Sequence, residues 1–131
     1  MSHLLDVNFL LACRWRSHPR HADACAWLES LAAFSTSPLA ELGFIRMSMS
    51  PGYRATIADA QAALGNITSR NQARMVAADL PVAKLPALTA YADVTDAYLV
   101  ELARAHGLKL ATIDEALCQK PWAAGVAENP L

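Results

Sequence analysis

Eight residues near the start of the chain, Leu4-Leu5-Asp6-Val7-Asn8-Phe9-Leu10-Leu11, restrict its fold more than any other stretch. The run is apolar apart from one carboxylate and one carboxamide. A run of that kind reads as a buried strand passing straight into a helix. An ionised Asp inside it is costly unless it is paired or holds a cation. Three later acids repeat the anomaly. Glu41 shares a helical face with Pro38, Phe44 and Ile45, and Asp96 heads a stripe continued by Leu99, Val100 and Ala103. Asp114 follows directly on the apolar segment Leu108–Ile113.

The rest of the chain reads as alternating strands and helices. A first helix runs from Asn8 to about Trp15, and Pro19 ends it or opens the next. Asp23–Ala33 is predicted helical, with Ala24, Trp27, Leu28 and Leu31 on one face. Phe34–Ser37 is a short strand, and Pro38 suits the first turn of a third helix. Ser50-Pro51-Gly52 is a break. Thr56–Arg70 is a further helix, with Asp59 in its first turn and Gly65 as a weak point. In residues 71–92, Leu80-Pro81 and Leu85-Pro86 argue for loop or short pieces. Asp93–His106 is a helix closed by Gly107, with Asp93 as its N-cap and Asp96 at the third helical position. Leu108–Ile113 is a strand, Glu115 to about Trp122 a last helix, and Val126 lies in a short final strand.

That order predicts an α/β fold, a three-layer α/β/α sandwich with a mostly parallel central sheet, in a single domain spanning residues 1–131. In such sheets ligands bind beyond the carboxyl ends of the strands. Asp6 and Asp114 stand at two such ends, and Glu41 and Asp96 begin helices beside them.

Carboxylates crowded together raise one another's pKa and need a counter-charge to stay ionised. No Lys or Arg is adjacent in sequence to any of the four. A hard divalent cation, Mg²⁺ or Mn²⁺, with Asp6, Glu41, Asp96 and Asp114 as ligands, is the simplest supply. Such an ion lowers the pKa of a bound water and aligns it for attack on a phosphodiester. Asn8, Thr112 and Thr36 are placed to orient the ligands from behind. The plainer reading of one Asp at a strand end is a turn or helix cap; the joint pattern of four is what carries the metal reading.

The 131 residues suit one domain. The 54% hydrophobic content is high, but no stretch approaches the ~20 apolar residues of a spanning helix. With no basic region leading into an apolar segment at the N-terminus, a cytoplasmic location is expected. Cys13, Cys25 and Cys118 are widely spaced and form no Cys-x-x-Cys pair, which suits reduced thiols. A formal charge of −1 gives no global attraction to nucleic acid. A local patch would have to serve, and Arg14-Trp15-Arg16, with Arg20 and then Arg46 and Arg54, is the candidate. Its arginines would contact phosphates and its indole would stack on an unpaired base. The plain alternative is a solvated cluster with Trp15 half-buried. His18 and His21 read as surface residues.

Leu5-Asp6-Val7-Asn8-Phe9-Leu10-Leu11, Thr36-Ser37-Pro38-Leu39-Ala40-Glu41-Leu42-Gly43-Phe44-Ile45-Arg46, Val94-Thr95-Asp96-Ala97-Tyr98-Leu99 and Leu110-Ala111-Thr112-Ile113-Asp114 together resemble the PIN-domain ribonucleases. The resemblance is strongest to the VapC-type toxins of bacterial toxin–antitoxin pairs. It implies a Mg²⁺- or Mn²⁺-dependent endoribonuclease that cuts single-stranded or loop regions of RNA, with Asp6, Glu41, Asp96 and Asp114 as the acids. It also implies a homodimer silenced by a cognate antitoxin. Ala40 departs from the pattern, in which relatives often carry a hydroxyl, and Asn71–Ala92 matches nothing in it. Competing readings are a small metal-dependent phosphatase, a non-catalytic PIN-like module that binds RNA or protein, and acids that hold a structural cation only. A phosphatase with an aspartyl nucleophile usually has a second acid two residues on; here that position is Asn8.

Overall fold

The computed structural model describes residues 2–131. Five strands form one sheet in the order β3-β2-β1-β4-β5, with every pairing parallel. They are β1 (His3–Leu5), β2 (Phe34–Thr36), β3 (Ala73–Met75), β4 (Lys109–Ala111) and β5 (Ala127–Glu128). The helices that cross between them are α1 (Val7–Arg14), α2 (His21–Glu29), α3 (Pro38–Ser48), α4 (Ile57–Thr68), α5 (Val94–Ala105) and the short α6 (Glu115–Cys118). An all-parallel sheet must be covered on both faces, and Leu4, Leu5 and Leu110 in its two central strands are completely buried. Phe9, Phe34, Phe44, Leu99 and Leu102 complete the core between sheet and helices. None of the described helices is long and apolar enough to cross a membrane.

β1, the first strand in sequence, lies in the middle of the sheet. It pairs with β2 on one side and β4 on the other, and the Asp6 N–H continues the ladder to Ala111 O at 3.0 Å. The carboxyl ends of β1, β2 and β4 therefore lie side by side along one edge. Gly43 brings α3 down onto α1 there: a Cβ at that position would stand 2.6 Å from Val7 Cγ2. Gly107, at φ +66°, supplies the left-handed residue that ends α5.

Residues 71–92 hold short pieces, as expected: β3 at the sheet edge and 3₁₀ turns at Val82–Lys84 and Tyr91–Asp93. Three expectations are corrected. β4 is shorter than the apolar run Leu108–Ile113: the Thr112 N–H still reaches Glu128 O at 3.0 Å, but the chain turns there and the Thr112 hydroxyl accepts the Asp114 N–H at 3.1 Å. The last helix stops at Cys118, since Pro121 cannot continue it, and Pro121–Ala123 forms a separate 3₁₀ turn. Asp93 does not cap α5 with its side chain. It ends a 3₁₀ turn that runs directly into the helix, and its carboxylate lies 3.5 Å from Lys120 Nζ.

A candidate metal centre at the carboxyl edge of the sheet

Asp6 is the last residue of the β1 ladder and the N-cap of α1, and its Oδ1 accepts the Val7 N–H at 2.8 Å. Asp114 plays the same part after β4. It caps α6, and its Oδ1 accepts the Leu117 N–H at 3.1 Å. The helix-cap reading and the ligand reading are thus compatible, because each cap uses one carboxylate oxygen and leaves the other. Between the two strand ends, Asn8 Oδ1 accepts the Ile113 N–H at 3.3 Å and the Thr112 hydroxyl at 3.2 Å. Asn8 and Thr112 therefore lock the start of α1 to the end of β4, fixing Asp6 and Asp114 relative to each other.

Ser37 closes β2 and caps α3, taking the Ala40 N–H on Oγ at 3.3 Å. Glu41 follows in the first turn, where Thr36 donates its hydroxyl to Oε2 at 2.8 Å. Sequence reasoning passed over Ser37, although a Ser directly before Pro is the pairing expected of an N-cap and N1. Gly43, which sets the depth of α3 on α1, was missed too and has no local signal. Ala40, the departure from the family pattern, is fully buried.

Asp96 stands half-buried in the first turn of α5. Burial, and then the charges of Asp6, Asp114 and Asp93, push its pKa up to about 7. Asp6 is also raised, chiefly by burial. Hydrogen bonds from Thr112 and Val7 oppose that rise, and the charge of Asp114 adds to it. Asp6, Asp96 and Asp114 thus feel one another, and Lys120 is turned to Asp93. Among the described residues no three acidic, histidine or cysteine side chains are closed on a single point. The carboxylates form an open, anionic, all-oxygen set, which is the donor type that Mg²⁺ and Mn²⁺ take, with water completing the shell.

In the basic and aromatic cluster, Arg14 and Trp15 make packing contacts, as the plainer reading of a half-buried indole has it. The Trp15 ring stacks on Phe44 at 5.9 Å between centroids, and its Nε1–H donates to Ser48 Oγ at 2.9 Å. Arg14 Nε donates to Ala63 O at 2.9 Å. Trp15 and Arg14 therefore pin α3 and α4 to the end of α1, because a half-buried indole N–H needs an acceptor. Arg20 is engaged by Asp23 at 3.3 Å. Arg54, at φ +58°, bonds Pro51 O. Arg16 and Arg46 are exposed, with no ion pair among the described residues. His21 is half-buried rather than superficial, with Nδ1 2.8 Å from Ala12 O.

The family model for the PIN domain matches residues 3–123. That match covers nearly the whole chain, and the chain belongs to the PIN-domain family. Within it, the chain is 38% identical over 118 residues to Ribonuclease VapC38 of Mycobacterium tuberculosis, covering 85% of this chain and 84% of the relative. It is 33% identical over 138 residues to Ribonuclease VapC39 of the same organism, covering 98% and 99%. In fold it is similar to VapBC2 from Rickettsia felis, solved bound to a DNA fragment from their promoter, with a TM-score of 0.69 over 98% of both chains at 17% identity.

Proposed function

We propose that this protein is a divalent-metal-dependent endoribonuclease and acts as the toxin of a toxin–antitoxin pair. The observation that carries the reading is the placement of Asp6, Asp96 and Asp114 where burial and mutual charge raise Asp96, with no ion pair to any of the three among the described residues. The names of the relatives support RNA as the substrate. Asp6, Asp96, Asp114 and Glu41 would hold Mg²⁺ or Mn²⁺, which supplies an activated water and neutralises phosphate charge. In the protein's own share of the work, Asp6 and Asp114 are fixed by the backbone N–H groups they accept. Asn8 and Thr112 keep them in register, and Thr36 orients Glu41. Arg16 and Arg46 remain for phosphate contacts. An antitoxin partner, a homodimer and a cytoplasmic location belong to the same reading.

The test compares wild type with Asp96→Asn on total RNA, with Mg²⁺, with Mn²⁺ and with EDTA, reading fragment ends by sequencing. Discrete metal-dependent cuts, reduced on the order of 10³-fold or more in the variant, are expected. Equal cutting by both proteins, or RNA bound in EDTA and never cut, would overturn the reading.

A further inference from the structure

Between α3 and α4, with Glu41 in its wall, lies a cleft of about 440 Å³ whose lining includes Ile45, Gln61, Leu64, Gly65 and Thr68. Its size falls within the ~300–1,000 Å³ of ordinary ligand pockets. Glu41 belongs both to this lining and, through Thr36, to the end of β2, so the cleft is continuous with the site. Ile45 and Leu64 give it apolar walls. The Gln61 amide, with no hydrogen-bond partner among the described residues, offers a donor and an acceptor. The Thr68 hydroxyl donates to Leu64 O at 3.1 Å and keeps its oxygen free to accept.

Gly65 adds an independent observation. It weakens the middle of α4 relative to alanine, yet neither a positive φ nor packing requires it. A Cβ built there meets nothing within 4 Å. A larger side chain at position 65 would occupy the cleft itself. The glycine keeps that space open at the helix's expense.

We propose that the α3–α4 cleft receives one unpaired nucleobase of the RNA being cut, with Gln61 reading its edge and Gly65 leaving room for its ring. This rests on the endoribonuclease reading and adds a specificity determinant to it. Single-stranded RNA is recognised through splayed bases held against flat or apolar surfaces and hydrogen-bonded along their edges. Gln is suited to that because its amide meets a base edge with two bonds at once.

The experiment uses an RNA library randomised in a single-stranded segment, cut by wild type, Gln61→Ala and Gly65→Leu, with the bases flanking each cut read by sequencing. Wild type should favour one base at a fixed position beside the cut. Gln61→Ala should relax that preference roughly tenfold. Gly65→Leu should lower kcat/KM about tenfold or more on every sequence while raising Tm by about 3–6 °C, which separates a filled cleft from a damaged fold. Unchanged preference and unchanged kcat/KM in both variants would overturn the proposal. So would intact RNA cleavage by Gly65→Leu together with weakened binding of the cognate antitoxin, which would make the cleft a protein-docking site. If wild type cuts nothing, the nuclease reading has failed, and NMR titration with short unstructured oligoribonucleotides judges the cleft. Shifts at the Gln61 side-chain amide and the Gly65 N–H would support it, and their absence would overturn it.

Discussion

Asp6 and Asp114, which close β1 and β4, each give one carboxylate oxygen to the backbone of the helix that follows, whereas Asp96, in the first turn of α5, caps nothing. The strand-end acids are held by the fold itself. Asp96 is held in place by its helix but opposed by its neighbours, and it gains a proton near neutral pH. The difference separates two things a carboxylate can do at one site: Asp114 contributes to stability through a cap, Asp96 weakens the fold through its buried charge, and Asp6, a cap that burial also raises, does both.

The largest effect that would test this contrast is on Asp96. Asp96→Asn should lose RNA cleavage and yet make the metal-free protein more stable by about 1–2 kcal/mol at neutral pH, because the change removes first the cost of burying a charge and then the repulsion of the neighbouring carboxylates. Chemical denaturation in EDTA reads this directly; a destabilised variant would break the comparison.

The pH dependence comes next. The folded-state pKa of Asp96 is raised from 3.8 to about 7. The folded protein therefore binds the proton more tightly than the unfolded chain across that window. Stability is full below about pH 4, falls as the pH rises to about 7, and is flat above. The gap corresponds to at most ~4 kcal/mol, and water reaching this half-buried group cuts it to roughly 2 kcal/mol. Asp6 shifts in the same direction and adds to the slope. Melting curves in EDTA should show the decline in wild type and a shallower one in Asp96→Asn, and Mg²⁺ at neutral pH should reverse it. A flat wild-type profile would show that neither burial nor the neighbouring charges raise Asp96.

The smallest effect sharpens the other side. Asp114→Asn keeps an oxygen for the Leu117 N–H, and Asp114→Ala does not. Both should be inactive, with the Ala variant about 1 kcal/mol less stable. At position 96 the same pair of substitutions should differ far less, since no cap is lost there.

The position of Asp6 and Asp114 at strand ends was legible because a charge at the end of an apolar run is anomalous whatever the fold, and α5 because its apolar period runs for three turns. β3 was not legible. Ala73-Arg74-Met75 has neither an apolar run nor alternation, and as an edge strand with Arg74 and Met75 exposed it needs neither. The Asp93 cap failed because a 3₁₀ turn leads straight into α5, leaving no extended residue for a side chain to fold back from. The packing contacts of Arg14 and Trp15 were not legible for a different reason. The acceptors that bind it, Ser48 and Ala63, lie 33 and 49 residues away, beyond the reach of any local pattern.

The central place of β1 has a consequence in time. Its inner partner is β4, and the clamp that sets Asp6 against Asp114 joins Asn8 to Thr112, 104 residues further along the chain. A ribosome adding about 5–20 residues per second exposes Asp6 seconds before its counterpart exists. Parallel pairing over such a separation is also slow to close. No growing fragment that ends before β4 can assemble the acid cluster, so a nascent chain carries the parts of this site without its chemistry until synthesis has passed residue 114.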